Sequence, residues 1–347
     1  MIYKSVAALS RSLVSRSGFV RNMSESGRFN VYITRSDMPD VGVDQLRKEC
    51  DIKLWEKPSP VPRAEFLKSV AGANAIYCSL SDRIDKELLD AAGPGLKVVS
   101  TISVGYDHID VQECRKRGIK IGYTPDVLTD ATAELTLALL LSTSRRLPEA
   151  QHEARTGGWV SWAPTWMTGP GLAGSTVGIV GFGRIGQAVA RRVKAFNTAR
   201  ILYFNRSERP EAKEIGAEKV SFDELLGQSD FVICCAALVP ETKEVFNKTA
   251  FEKMKNTAVF VNTSRGGTVD QDALIEALKT NQIRAAGLDV TTPEPLPLDS
   301  PLFKLKNCVV LPHIGSASIE ARNTMSELTA QNILAALNGK DLPAELK

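Results

Sequence analysis

From Val177 to Gly186 the chain reads Val-Gly-Ile-Val-Gly-Phe-Gly-Arg-Ile-Gly, and an amphipathic stretch, 187–196, follows at once. A β-prone run that enters Gly-x-Gly-x-x-Gly and then a helical pattern commits the region to strand, tight turn and helix. Such a turn seats a dinucleotide pyrophosphate. Gly181 permits the turn, Gly183 lets the backbone approach the phosphates, and Gly186 lets helix and strand pack closely. Arg184 and Ile185 open the helix, whose free N–H groups and positive end favour an anion. Glycine turns also join strands to helices for structural reasons alone, but the clean strand before and clean helix after favour a cofactor.

The rest of the chain repeats the same alternation. Apolar runs at 29–33, 52–55, 75–80, 98–102 and 120–123 read as strands, separated by helical patterns at 43–50, 62–70, 86–92 and 111–117. A longer helical pattern at 132–146 precedes a Gly/Trp/Pro loop at 157–172. After the glycine loop, strands are expected at 200–204, 231–235, 259–262, 285–290 and 309–311, and a last helix at 319–337 ends at Asn338-Gly339. Continuous apolar strands alternating with helices predict α/β architecture. Its form is two doubly wound, Rossmann-like or flavodoxin-like parallel-sheet domains with an active-site cleft between them. A length of 347 residues also favours two domains.

Composition narrows the class further. The chain is 43% hydrophobic and 24% charged with a net charge of +3 and scattered basic residues, which points to neither nucleic acid nor a membrane surface. No apolar run approaches the length needed to cross a bilayer. The 6 cysteines show no Cys-x-x-Cys spacing and read as thiols of a reducing compartment. Histidines and cysteines are isolated from one another, so no metal site is expected. The first 23 residues differ from the rest, with Lys4, Arg11, Arg16 and Arg21, 5 serines and no acidic residue. That bias suits a mitochondrial transit-like extension over 1–28, or a disordered tail, with an alternative start at Met23 giving a cytoplasmic product.

The second strand after the glycine loop bears on cofactor choice. An NAD site usually places a carboxylate at its end to hold the ribose hydroxyl. Here the strand runs into Asn205-Arg206-Ser207, and Arg206 and Arg209 offer planar donor forks suited to a phosphate. NADPH (NADP+) is therefore expected over NADH. Three further polar residues follow strands: Arg265, Glu294 and His313. A carbonyl receiving a hydride needs a proton donor, and histidine titrates near neutrality. A carboxylate favours its charged form, and an arginine holds a substrate carboxylate bidentately. Each alone would more often be structural; the three together suggest a site. His108 and His152 are read as structural.

Three segments carry a resemblance: Asn262-Thr263-Ser264-Arg265-Gly266-Gly267, Pro293-Glu294-Pro295, and Leu311-Pro312-His313-Ile314-Gly315-Ser316. With the glycine loop and Gly287-Leu288-Asp289-Val290, the chain from about residue 30 onward resembles the D-2-hydroxyacid dehydrogenases. Ser103-Val104-Gly105-Tyr106-Asp107-His108 and Gly158-Trp159-Val160-Ser161-Trp162 resemble the branch that reduces glyoxylate and hydroxypyruvate. The resemblance implies His313 as general acid, Glu294 as its partner and Arg265 as substrate anchor. It places the nicotinamide near Asp289, with Thr263 and Gly315 on the cofactor and Val104, Gly105 and Ser316 on a small 2-keto acid. It also implies a homodimer in which Trp162 enters the other subunit's site. The implied domains are discontinuous: 29–124 with 313–347 for the substrate, and 125–312 for the cofactor. Cys234-Cys235-Ala236-Ala237 departs from the usual hydroxyl-bearing turn. Related dehydrogenases of phosphoglycerate often carry a further regulatory domain, and those of formate pair the histidine with Gln. Nucleotide-sensing co-repressors of this fold retain the same polar residues, so the sequence leaves a binding protein open as an alternative.

Overall fold

A computed structural model describes residues 27–347. The transit-like segment and the possible start at Met23 lie outside the described residues. The first part of the chain alternates β1 (Phe29–Ile33), α1 (Asp40–Glu49), β2 (Cys50–Leu54), α2 (Arg63–Ser69), β3 (Ala75–Cys78), α3 (Lys86–Ala92), β4 (Val98–Thr101), α4 (Val111–Lys116) and β5 (Lys120–Gly122). These strands form one parallel sheet in the order β2-β1-β3-β4-β5. Both its faces are covered, which explains why β3 and β4 are buried at every residue and read as unbroken apolar runs.

Two helices, α5 (Thr129–Ser144) and α6 (Leu147–Thr156), lead to a second alternation. It comprises β6 (Thr176–Val180), α7 (Arg184–Lys194), β7 (Arg200–Phe204), α8 (Glu211–Ile215), β8 (Ala217–Lys219), α9 (Phe222–Gln228) and β9 (Phe231–Cys234). It continues through α10 (Lys248–Lys253), β10 (Val259–Asn262), α11 (Gln271–Lys279), β11 (Ala285–Leu288) and β12 (Cys308–Val310). The second sheet is also parallel, ordered β12-β11-β10-β9-β6-β7-β8. Its order reverses between β6 and β9, the point at which an open α/β sheet leaves a crevice for a ligand.

The final helix, α12 (Ile319–Leu337), returns to the first sheet and packs on α1, β3 and β4. Polar ties fix it there. Tyr77 donates its hydroxyl to Ser326 Oγ at 2.9 Å, and Asn332 Nδ2 donates to the Tyr123 carbonyl at 3.1 Å. The tail then bridges Gly122 to Glu345 in antiparallel sense, along the β5 edge. The chain thus crosses from the first sheet to the second and back, and its two crossings flank the cleft.

Candidate active site

The glycine loop leaves β6 for α7 at the sheet's reversal. Gly181 has φ of 90°, where only glycine is unstrained, and a Cβ there would lie 2.5 Å from the Ala236 nitrogen in the loop after β9. A Cβ on Gly186 would run into the Gly181 carbonyl, so strand and helix touch here. Gly183 faces open space. It is also the N-cap of α7, and no side chain caps that end, whereas Asp85, Asp110, Ser221 and Ser318 cap α3, α4, α9 and α12. Its amides are left for a ligand. Arg191, Arg192 and Lys194 in the last turn complement the helix dipole. Phe182, fully buried and stacked on Tyr203 at 4.2 Å, pins the loop. The Arg184 side chain pairs with Asp126, so what it presents to the loop is backbone. These features fit a dinucleotide.

Beyond β7, Asn205 Oδ1 accepts from the Phe182 amide at 3.4 Å, and no carboxylate stands at that position. Arg206, Ser207 and Arg209 are exposed, and neither arginine side chain has an ion-pair partner among the described residues.

Across the sheet edge, His313 Nδ1 lies 2.8 Å from Glu294 Oε2. Glu294 is also fixed through Oε1, which accepts from the Thr291 amide at 3.0 Å. Burial pushes its carboxyl upward, but the hydrogen bond and charge of His313, the Thr291 amide and Arg265 outweigh burial and hold it below its usual range. His313 has φ of 54°, a left-handed conformation unusual for a side-chain-bearing residue. Asp289 enforces it: its carbonyl accepts from the His313 amide at 2.9 Å. Its carboxylate oxygens accept from the Ile314 and Gly315 amides at 2.8 and 2.7 Å. Asp289 is 1% exposed, and burial raises its carboxyl above the usual value despite those amides and the His313 charge. The residue expected near the nicotinamide thus first shapes the loop that carries the histidine.

Arg265 follows β10 and reaches over the cleft to the first sheet. Its Nε donates to Asp107 Oδ1 at 2.9 Å, and Nη1 donates to the Ser264 carbonyl at 2.8 Å. Nη2 lies against Gly105, where an added Cβ would meet it. One cavity of about 300 Å³ is lined by Val104, Gly105, Arg265, His313, Gly315 and Ser316, and Thr263 and Asp289 share its wall. The structure therefore gathers every residue expected on the substrate except Trp162. Trp162 is 82% exposed on the loop after α6 and does not line this chain's own cleft. Thr263 Oγ1 is 2.8 Å from Thr136 Oγ1, so its hydroxyl is already engaged.

The sequence reading missed Asp107 and Arg322, which also line the cavity. Asp107 stands two residues after Gly105, but nothing local marks it as the partner of an arginine 158 positions away. Cys235 lines the cavity too, and burial pushes its thiol up, away from the reactive thiolate form. His108 sits behind the cleft with Nε2 3.1 Å from Thr101 Oγ1, and burial pushes it down to about 4. Among the described residues no cluster of His, Cys, Asp and Glu has metal-ligand grouping, and no helix is long and apolar enough to cross a membrane.

A glycine turn and uncapped helix start at a sheet reversal, opening on a cleft with a partly exposed His313–Glu294 pair, point to a nicotinamide-dependent oxidoreductase. Residues 137–315 match the model for the D-isomer specific 2-hydroxyacid dehydrogenase NAD binding domain. The chain belongs to that family. It is 55% identical over 320 residues to glyoxylate reductase/hydroxypyruvate reductase of Homo sapiens, covering 91% of this chain and 97% of that one. A Thermus thermophilus protein of known structure superposes with a TM-score of 0.85 at 43% identity, covering 92% of this chain and all of that one. An NADPH-dependent glyoxylate/hydroxypyruvate reductase from Sinorhizobium meliloti, solved with NADP and malonate, superposes with a TM-score of 0.79 at 31% identity, covering 92% and 97%.

Proposed function

We propose that the chain reduces hydroxypyruvate to D-glycerate and glyoxylate to glycolate, with NADPH preferred over NADH. The observation that carries this reading is the His313–Glu294 contact at 2.8 Å, whose histidine lines the same cavity as Arg265, Val104 and Gly105. A bound nicotinamide supplies the hydride. Gly181, Gly183 and Gly186 hold its pyrophosphate at the start of α7, and Arg206 and Arg209 with Ser207 take the 2′-phosphate.

The remaining chemistry belongs to the protein. Glu294 accepts from His313 Nδ1 and favours the charged ring, which leaves Nε2 to deliver a proton to the ketone oxygen. Arg265 and the Val104-Gly105 amides clamp the substrate carboxylate, with Ser316 beside the reacting carbon. Arg265 also draws charge from the carbonyl as it becomes an alkoxide. Closure of the two units, 29–124 with 313–347 against 125–312, excludes water from the transfer. Human and Sinorhizobium relatives named for the same two substrates support this reading. The exposed Trp162 fits a homodimer in which it enters the partner's cleft, and sedimentation of the purified chain as a monomer would contradict that. The transit-like bias of the first residues fits mitochondrial import, with a cytoplasmic product from Met23; import assays on the two forms separate them.

A panel of 2-keto acids with each reduced cofactor tests the proposal. Consumption of NADPH with hydroxypyruvate or glyoxylate is expected. Arg206→Asp should lower the NADPH-over-NADH preference by about tenfold or more, the scale of a lost charge-assisted contact. An unmoved preference would overturn the cofactor assignment.

A further inference from the structure

We propose that Asp107 is the positioning residue of the substrate anchor: it turns the Arg265 guanidinium so that its free edge faces the Gly105 backbone. The inference rests on Arg265 anchoring the substrate carboxylate, as proposed above.

Five N–H donors leave the guanidinium in a fixed planar fork. Nε is taken by Asp107 Oδ1 at 2.9 Å, and one Nη1 hydrogen by the Ser264 carbonyl at 2.8 Å. With those two directions fixed, the plane of the fork is fixed too. The Nη2 that remains is the atom against Gly105. A carboxylate seated there receives the Gly105 region's backbone donors on one side and Nη2 on the other. Without Asp107, only the Ser264 carbonyl would orient the group, and a single bond leaves rotation about it open.

The pair also spans the cleft. Asp107 follows β4 of the first sheet, and Arg265 follows β10 of the second. The anchor is therefore aimed by the unit opposite the one that carries it, so the carboxylate seat is complete only when the two units are together. The side chains are 38% and 19% exposed for Asp107 and Arg265. At that partial exposure solvent screening discounts what the ion pair adds to folding. Its effect should then appear in substrate binding and leave stability alone, which separates positioning from a merely structural role.

The test is steady-state reduction of hydroxypyruvate by the full chain with saturating NADPH, comparing wild type, Asp107→Ala and Asp107→Asn. The Ala variant should raise KM about tenfold or more, as for a lost hydrogen bond to a charged group. Its kcat should stay within about threefold, since the loss is of binding shared by substrate and transition state. The Asn variant keeps an oxygen that accepts from Nε and should fall between the two. Melting temperature and NADPH Kd should match wild type. An unchanged KM in the Ala variant overturns the proposal, as does a rise in KM accompanied by equal losses in melting temperature and NADPH affinity. A wild type inactive on both keto acids overturns the functional reading and this proposal with it; an active wild type indifferent to Asp107 overturns this proposal alone.

Discussion

His313 is a non-glycine residue in the left-handed region, kept there by a buried aspartate that binds the next two amides. The backbone conformation sets the ring against Glu294, and the proposed function takes this pair as its proton donor. Because Glu294 is held below its ordinary value of 4.5, its support of the charged pair is fully present above that pH. The support is lost as pH falls through the lowered value. Across neutrality, then, Glu294 is a carboxylate that favours the protonated ring. Glu294→Gln removes that charge. The pH at which ketone reduction falls off on the alkaline side should move downward, and a pH–rate profile identical to wild type would contradict the pairing. His313, Glu294 and Arg265 were legible because each follows a strand end. Asp107 was not: its meaning depends on a contact made only once two sheets are assembled.

At the scale of elements, the glycine loop separates two roles that the bare motif merges. Gly186 is required by packing, because its Cβ would meet the Gly181 carbonyl, while Gly183 faces open space. Gly186→Ala should destabilise the fold by about 1–3 kcal/mol, the range for overpacking. Gly183→Ala should change folding stability by less than about 0.5 kcal/mol. The same change should weaken cofactor binding about tenfold or more, since it puts a methyl group where the proposed function seats the phosphate. Thermal melts and cofactor titrations of the two variants check this, and equal cofactor loss without any stability difference would contradict it. The strands that were legible are buried on both faces, as in β9, β10 and β11. β8 was not, because Ala217-Glu218-Lys219 is a half-exposed edge with no apolar run. α6 buries no residue, so no apolar stripe marked its limits.

At the scale of the molecule, strand–helix alternation was enough to read two parallel sheets, since each βα step forces a crossover. Which unit the last helix joins was legible through the family resemblance, which pairs 313–347 with 29–124, and not from its own pattern. The 319–337 pattern fixes a helix but not its neighbour, and contacts to α1, β3 and β4 supply that. The return of α12 brings Arg322 to the same cavity as Ser316, His313 and Arg265, the last of which follows β10 of the glycine-loop sheet. Reaction in that cavity, with His313 as its proton donor, is the central claim. Its most direct measurement pairs NADPH consumption on adding hydroxypyruvate with NADPH binding by calorimetry, in wild type and His313→Ala. Wild type should turn over, and the variant should lose about 100-fold or more in kcat while binding NADPH unchanged. Turnover retained in the variant would contradict the claim.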